Sequence, residues 1–486
     1  MNVSMNQARV FTSRHHIWMM TAICMGAFLS HFTAGIVNVS LPQFTRIFQT
    51  NLAEVQWITT GYLLVITSLL PLMGKLGDRY GYRLIHNLGY VSFTISSIMV
   101  AFSTNLTILL ILRMVQAIGA SMFQATNIAL ITIHLPKEKR GRALGIVSTA
   151  VALGGMTGPI IGGWIAAWFS WQWLFLIHVP VAFAATLLAF RFIPVRGQER
   201  KRVPLDKVGA LLFIVMISSF IFGISNGSRL GWLSSETLFV FAVTTVALSM
   251  LLVWEPRQRV PFLPIKAFRI PAVFYGLLIS TISFLLANTV LVLLPFYLFG
   301  IAAISPSTAG YILAAYPVSL AFTGPLCGYL SDRYGSRRFM FLGLCGIGSG
   351  FAALALYLGP LSIIEIAAIL ALIGLGMGLI ASPNNSFIMK HAPAEHIGSI
   401  GGMIALTRNA GMVCGAALGL GIVNGGDNHA TGLESFRAAF GINVLICAGA
   451  LIIFGCGIYF ENVRRKNKPK MKEAHKQNTL EGEKTL

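Results

Sequence analysis

Apolar residues in this chain come in blocks of about 18–25, each long enough to cross a bilayer as a helix. Fourteen blocks can be read, at roughly 17–39, 55–73, 84–103, 106–129, 142–166, 173–192, 207–225, 237–254, 273–299, 308–328, 339–358, 363–383, 400–422 and 438–460. The polar break between the seventh and eighth, Asn226 to Glu236, is short and mild. Backbone amides in lipid must be satisfied within their own segment, so blocks of this kind are helices. The pattern predicts an all-α polytopic membrane protein with fourteen transmembrane helices. Arg9 and Arg14 precede the first block as in a signal peptide, but the block runs on to Val39 without a small-residue cleavage site. It therefore reads as the first span.

Composition agrees with this reading. Hydrophobic residues make up 55% of the 486 and charged residues 11%, with a mean hydropathy of +0.74; soluble domains carry about 25% charge. The net charge of +20 is set by topology rather than by nucleic acid. With the N-terminus inside, the cytoplasmic segments hold 31 of the 36 Lys and Arg residues. The outer loops hold Arg46, Arg229 and Arg437, and Arg113 and Arg408 lie within spans. That asymmetry is the positive-inside rule at work, and it predicts that both termini are cytoplasmic. The tail Arg464-Arg465-Lys466-Asn467-Lys468-Pro469-Lys470 reads as topogenic and drawn to anionic lipid. The six cysteines form no CxxC pair, so neither a metal site nor a disulfide framework is expected.

One stretch occurs twice. Gly74-Lys75-Leu76-Gly77-Asp78-Arg79-Tyr80-Gly81-Tyr82-Arg83 recurs 254 residues later as Gly328-Tyr329-Leu330-Ser331-Asp332-Arg333-Tyr334-Gly335-Ser336-Arg337, identical at seven of ten positions. The copies follow spans two and ten, both on the predicted cytoplasmic side. Eight spans separate them, so a duplicated unit of six helices leaves two over. This predicts a tail at 1–16, a six-helix half at 17–192 and a linker at 193–206. Two extra helices at 207–254, a second linker at 255–272, a second half at 273–460 and a basic tail at 461–486 complete the chain.

Polar groups inside the hydrocarbon are costly unless paired or wet, so they are functional candidates. No Asp or Glu lies near the middle of a span; Arg113 and Arg408 are the deep charges. Arg113, Gln116, Ala120, Gln124 and Asn127 share one helical face, which is either a polar seam between helices or the wall of a water-filled cavity; the cavity is preferred. Gly154, Gly158 and Gly162 recur every four residues, with Gly155, Pro159 and Gly163 beside them. Such spacing brings helix backbones into contact, and the proline bends the helix; the result serves plain packing or a gate. Gly411, Gly415 and Gly419 repeat the spacing in span thirteen, with Arg408 on that face. His31 and Asn38 share a face of span one. No H-E-x-x-H, P-loop or G-x-S-x-G is present, so neither cofactor nor enzyme chemistry is expected.

These segments resemble the major facilitator superfamily, and more narrowly its fourteen-helix drug:proton antiporters. The 74–83 stretch resembles the superfamily's signature turn, and 328–337 its second-half copy. Leu112-Arg113-Met114-Val115-Gln116-Ala117-Ile118-Gly119-Ala120 resembles the fourth-helix motif, and Gly154 to Gly163 the fifth-helix antiporter motif. Ile36-Val37-Asn38-Val39-Ser40-Leu41-Pro42 and the 171–180 segment resemble fourteen-helix fingerprints. Three departures stand out: Thr33 occupies a position where relatives often carry aspartate, Gln172 replaces an arginine, and His178 replaces an asparagine.

The resemblance implies a monomeric carrier in the cell membrane whose halves close alternately over a central cavity, exporting small amphiphilic compounds against protons. Gly74, Asp78, Arg79, Gly81, Arg83, Asp332 and Arg333 would form a cytoplasmic latch, with Gly74 and Gly81 permitting the turn and Asp78 facing a helix end or an arginine across the halves. His31, Thr33, Asn38, Arg113, Gln116, Gln124, Asn127 and Arg408 would line the substrate and proton pathway. With no carboxylate in span one, neutral or anionic amphiphiles suit the cavity better than cations. A carrier of a specific neutral or anionic metabolite (vitamin, peptide or fatty acid), a non-transporting sensor or assembly factor on the same scaffold, and a membrane transferase using His31 or His178 remain alternatives.

Overall fold

The computed structural model describes residues 13–194, 204–258, 261–263, 270–392, 397–424 and 432–455. Most of the N-terminal tail, most of the 193–206 linker, much of the 255–272 linker and the whole 461–486 tail lie outside the described residues. Every regular element among them is helical. Fourteen helices are long and apolar enough to cross a membrane: α1 (Ser13–Ile47), α2 (Trp57–Tyr80), α3 (Tyr82–Ala101), α4 (Leu106–His134), α5 (Lys137–Trp168), α6 (His178–Phe192), α7 (Lys207–Leu230), α8 (Ser235–Trp254), α9 (Pro271–Gly300), α10 (Pro306–Tyr334), α11 (Ser336–Tyr357), α12 (Ile363–His391), α13 (Ile397–Asn424) and α14 (Leu433–Gly455). Short helices at Leu52–Val55 and Trp173–Leu176 precede α2 and α6.

Polar side chains mark where the helices begin. Asn105, Asp206, Ser234, Ser305 and Ser362 each accept a backbone N–H of the first turn of α4, α7, α8, α10 and α12, satisfying donors that lipid would leave bare.

Two six-helix halves repeat one packing scheme. In the first, α1 packs on α5, α2 on α4 and α3 on α4; in the second, α9 packs on α13, α10 on α12 and α11 on α12. Glycines set the close seams in both. A β-carbon on Gly89 would stand 2.8 Å from the Gly119 carbonyl oxygen, and one on Gly119 2.7 Å from that of Gly89. Gly343 and Gly376 repeat the arrangement at 2.5 and 2.7 Å. Likewise Gly154 and Gly158 face the carbonyls of Phe28 and Phe32 in α1, as Gly411 and Gly415 face those of Thr281 and Leu285 in α9. The i, i+4 spacing of the glycines is thus a row of backbone contacts within each half.

The halves meet where α5 packs on α10 and where α2 packs on α13. The remaining pair, α7 and α8, packs against both halves: Phe213, Ile217 and Leu251 share a cluster with Leu130, Leu135 and Ala189 of the first half and with Ala405, Val413 and Ala417 of α13. α7 also reaches α13, where a β-carbon on Gly421 would lie 2.7 Å from the Ile224 carbonyl. α8 stands at the periphery; 17% of its most apolar window is buried, against 67% for α9 and α13.

The charged repeats lie differently from the expected turn. α2 runs through Gly74 to Tyr80, and the chain turns at one residue, Gly81, with φ of 100°. Gly335 does the same at 90° between α10 and α11. That backbone suits glycine. Gly74 is correspondingly an interior helix residue and takes no part in the turn.

Candidate functional site

The polar face of α4 divides into two environments. Arg113 is 1% exposed and does not face a cavity. Its Nη1 donates to Gln116 Oε1 at 2.5 Å and its Nε to the Ile58 carbonyl at 3.4 Å. Gln116 Nε2 donates in turn to Ser97 Oγ at 2.7 Å. The guanidinium lies 3.9 Å from the Tyr62 ring centroid and 5.6 Å from that of Phe175. A desolvated cation over an aromatic face gains about 2 kcal/mol, and a hydrogen bond to a charged group about 1.5–3 kcal/mol. Arg113 and Gln116 therefore tie α4 to α2 and α3 inside the first half. This corrects the cavity reading of that end of the stripe: periodicity placed the residues on one face, and tertiary packing covered half of it.

Two turns further along α4 the face meets the other half. Asn409 Nδ2 of α13 donates to Gln124 Oε1 at 3.4 Å and to the Ala405 carbonyl at 2.8 Å. Beside Asn409, the half-buried Arg408 carries a buried Nε with no hydrogen-bond partner, and the buried Asn127 Oδ1 also has none. His31, half-buried in α1, lies within electrostatic range of Arg408. Its Nδ1 approaches Ser30 Oγ at 2.9 Å and the Ala27 carbonyl at 3.2 Å. The structure therefore brings Gln124, and His31 with Arg408, to the interface between the halves, while Asn127 is buried with no hydrogen bond across it among the described residues. Thr33 and Asn38 stay in the packing of the first half. The Thr33 hydroxyl is buried without a partner, and Asn38 Oδ1 accepts from Thr59 Oγ1 at 2.9 Å.

α5 presents two faces to two partners. Gly154, Gly158 and Gly162 face α1, so their tight contact lies within one half. Pro159 and Gly163 carry the contact across the halves. A β-carbon on Gly163 would lie 2.5 Å from the Pro306 carbonyl, and one on Gly310 2.6 Å from that of Pro159. Trp164 Nε1 donates to Tyr311 OH at 2.9 Å one residue further on. This seam lies away from the charged repeats, toward the opposite end of the bundle.

At the repeats, Asp78 accepts a hydrogen bond from Tyr82, across the Gly81 corner and within its own half, rather than from an arginine across the interface. Arg83 Nη2 donates to the Phe190 carbonyl at the end of α6, at 2.6 Å, and so anchors the corner. Arg79 lies over the neighbouring Tyr80 ring and Arg333 over that of Tyr334, at 5.3 and 5.5 Å. The Asp332 side chain lies outside the described residues.

His86 is a buried polar residue of the first half that periodicity did not flag. It is fully buried, its Nδ1 lies 2.8 Å from Thr126 Oγ1, and its Nε2 has no partner. The available signal was a histidine inside span three together with a threonine beside the Gln124–Asn127 face of α4. His178 is likewise buried, with Nδ1 at 3.1 Å from the Phe175 carbonyl and its ring 5.2 Å from Phe32. Neither histidine has an acid or base partner of the kind transferase chemistry needs. A surface groove of about 420 Å³ lined by Trp57, Leu64, Phe222 and Phe239 opens between α2, α7 and α8. It is apolar and lies away from the interface between the halves.

The model of the Major Facilitator Superfamily matches residues 23–415 and, in a second match, 276–482. The chain is 30% identical over 396 residues to the riboflavin transporter RibZ of Clostridioides difficile, covering 81% of this chain and 85% of that one. It is 28% identical over 409 residues to the multidrug resistance protein Stp of Mycobacterium tuberculosis, covering 84% and 75%. A mutant of the peptide transporter POT, in complex with sulfate, superposes with a TM-score of 0.66 at 15% identity over 90% of this chain and 94% of its own, a likeness of fold. On these grounds the chain belongs to the Major Facilitator Superfamily, and is a membrane transporter rather than an enzyme.

Proposed function

We propose that this transporter exports small amphiphilic compounds by alternating closure of its two halves, driven by protons moving inward. The observation that carries the reading is the pair of cross-half contacts. The α5–α10 seam closes one end through bare backbone, Gly163 against Pro306 and Gly310 against Pro159. Arg408, the one deep charge between the halves among the described residues, lies within electrostatic range of His31 of α1 and next to Asn409, which bonds Gln124 of α4. A two-state element of this kind is what alternating access requires. The concentration of Lys and Arg at the end bearing the charged repeats, 31 of 36, supports a cytoplasmic location for that end and for both termini, in the cell membrane. A monomer suffices, since both halves lie in one chain.

Proton coupling draws support from the family type and from His31, a titratable side chain at the interface. Purified protein in inside-out proteoliposomes, given a fluorescent amphiphile from outside under an acid-inside gradient, tests it. Accumulation should collapse with nigericin in potassium; undiminished accumulation would show that protons do not drive export.

A second reading, a carrier of one neutral or anionic metabolite, is favoured by the 30% identity to a riboflavin transporter. Competition by a panel of unrelated amphiphiles separates the two, since a dedicated carrier should ignore most of the panel.

A further inference from the structure

We propose that the Arg408 guanidinium of α13, beside the α4–α13 seam, is a binding site for the anionic group of a small organic acid. The site deepens the carrier reading and rests on it.

Three observations converge there. Arg408 is one of two charges deep in the spans, and it differs from Arg113 in being left unsatisfied. Arg113 is enclosed by Gln116, a carbonyl and two aromatic rings, whereas the buried Nε of Arg408 has no acceptor. No carboxylate lies near the middle of any span to compensate it. A half-buried cation within a span whose buried Nε lacks an acceptor is costly, so an arriving anion lowers the free energy of the site by supplying what the chain withholds.

The surroundings provide donors from both halves. The Asn409–Gln124 hydrogen bond holds α13 against α4 at the residue next to Arg408 in the chain, so the site adjoins the seam that alternating closure must open and re-form. His31 of α1 lies within electrostatic range of the same guanidinium. An anion seated here touches both halves at once, which couples occupancy to closure. The planar guanidinium fork matches a carboxylate in two-point geometry.

The test uses three probes of nearly equal shape: 1-naphthylacetate, 1-naphthylacetamide and 1-(1-naphthyl)ethylamine. Their affinities for the full-length protein in detergent or nanodiscs are measured by microscale thermophoresis. The acid should bind about ten- to hundredfold more tightly than the amide, the worth of a charge-assisted hydrogen bond in a buried site. Arg408→Gln should abolish that ratio while leaving the affinity for the amide unchanged; Arg408→Lys should retain part of it. The wild-type ratio needs no variant, so a misfolded substitution does not shield the proposal. An acid bound no better than the amide, or a preference for the amine, overturns the anion site. So does an acid preference that survives in folded Arg408→Gln. The carrier reading stands or falls separately, by whether proteoliposomes transport any of the three.

Discussion

Gly310→Val tests the interface between the halves where its geometry is tightest. A β-carbon at that position lies 2.6 Å from the Pro159 carbonyl oxygen and 3.3 Å from the Gly163 Cα. Ordinary carbon–oxygen contact is near 3.2–3.5 Å, so α10 must retreat from α5 by about 0.6–0.9 Å for the β-carbon alone, and further for the two methyls. Overpacking of this kind costs about 1–3 kcal/mol. The cost falls only on the state in which α5 and α10 touch, because the substitution faces neither α11 nor α12. The population of that state should drop by roughly 5- to 150-fold. Spin labels at Ser170, after α5, and Ile301, after α9, are both exposed and report the separation by double electron–electron resonance once the native cysteines are replaced. The distance distribution should lengthen and transport should slow. Gly402→Val, placed where nothing lies within 4 Å of a β-carbon, should alter neither. An unchanged distribution with full transport in Gly310→Val would refute the seam as a moving contact.

Two further outcomes follow from the packing. Arg113→Ala should lower the thermal stability of the folded protein by about 2–4 kcal/mol through loss of the ring stacking and charge-assisted bonds, with ligand affinity per folded molecule unchanged. An unchanged melting curve with lost binding would return Arg113 to the cavity. Asp206→Ala removes the acceptor for both the Gly209 amide, at 2.8 Å, and the Trp254 indole N–H, at 3.0 Å. The inserted pair should lose about 1–2 kcal/mol at that end. Faster trypsin cleavage in the Arg196–Lys201 segment reports it, and unchanged cleavage would speak against the clasp.

Hydropathy alone made the architecture legible, because lipid forces each apolar block into a helix and charge asymmetry checks the count. The i, i+4 glycines were equally readable as seams. What the sequence withheld was the identity of the neighbour on each face. The Arg113–Asn127 stripe is one face by periodicity, yet Arg113 ends in the first half's packing while Gln124 reaches α13, since the adjoining helices cover only part of the stripe. The glycine-rich segment of α5 divides similarly between α1 and α10. Helix period reports angle about an axis, and only tertiary structure reports what stands at that angle. The extent of α2 was missed for a simpler reason: charged residues at 75, 78 and 79 look like a loop, but a helix end emerging from lipid carries the same composition.

The one-residue corner at Gly81 has a mechanical consequence. α2 and α3 are rods joined without slack, and Arg83 pins the joint to the end of α6. With 24 residues, α2 is about 36 Å long at 1.5 Å per residue, so each ~10° of tilt about the corner sweeps its far end by roughly 6 Å. A joint of this kind turns a small displacement among the surface charges into a large one at the opposite face of the membrane. It makes the corner a fulcrum whose stiffness sets how far the molecule can swing.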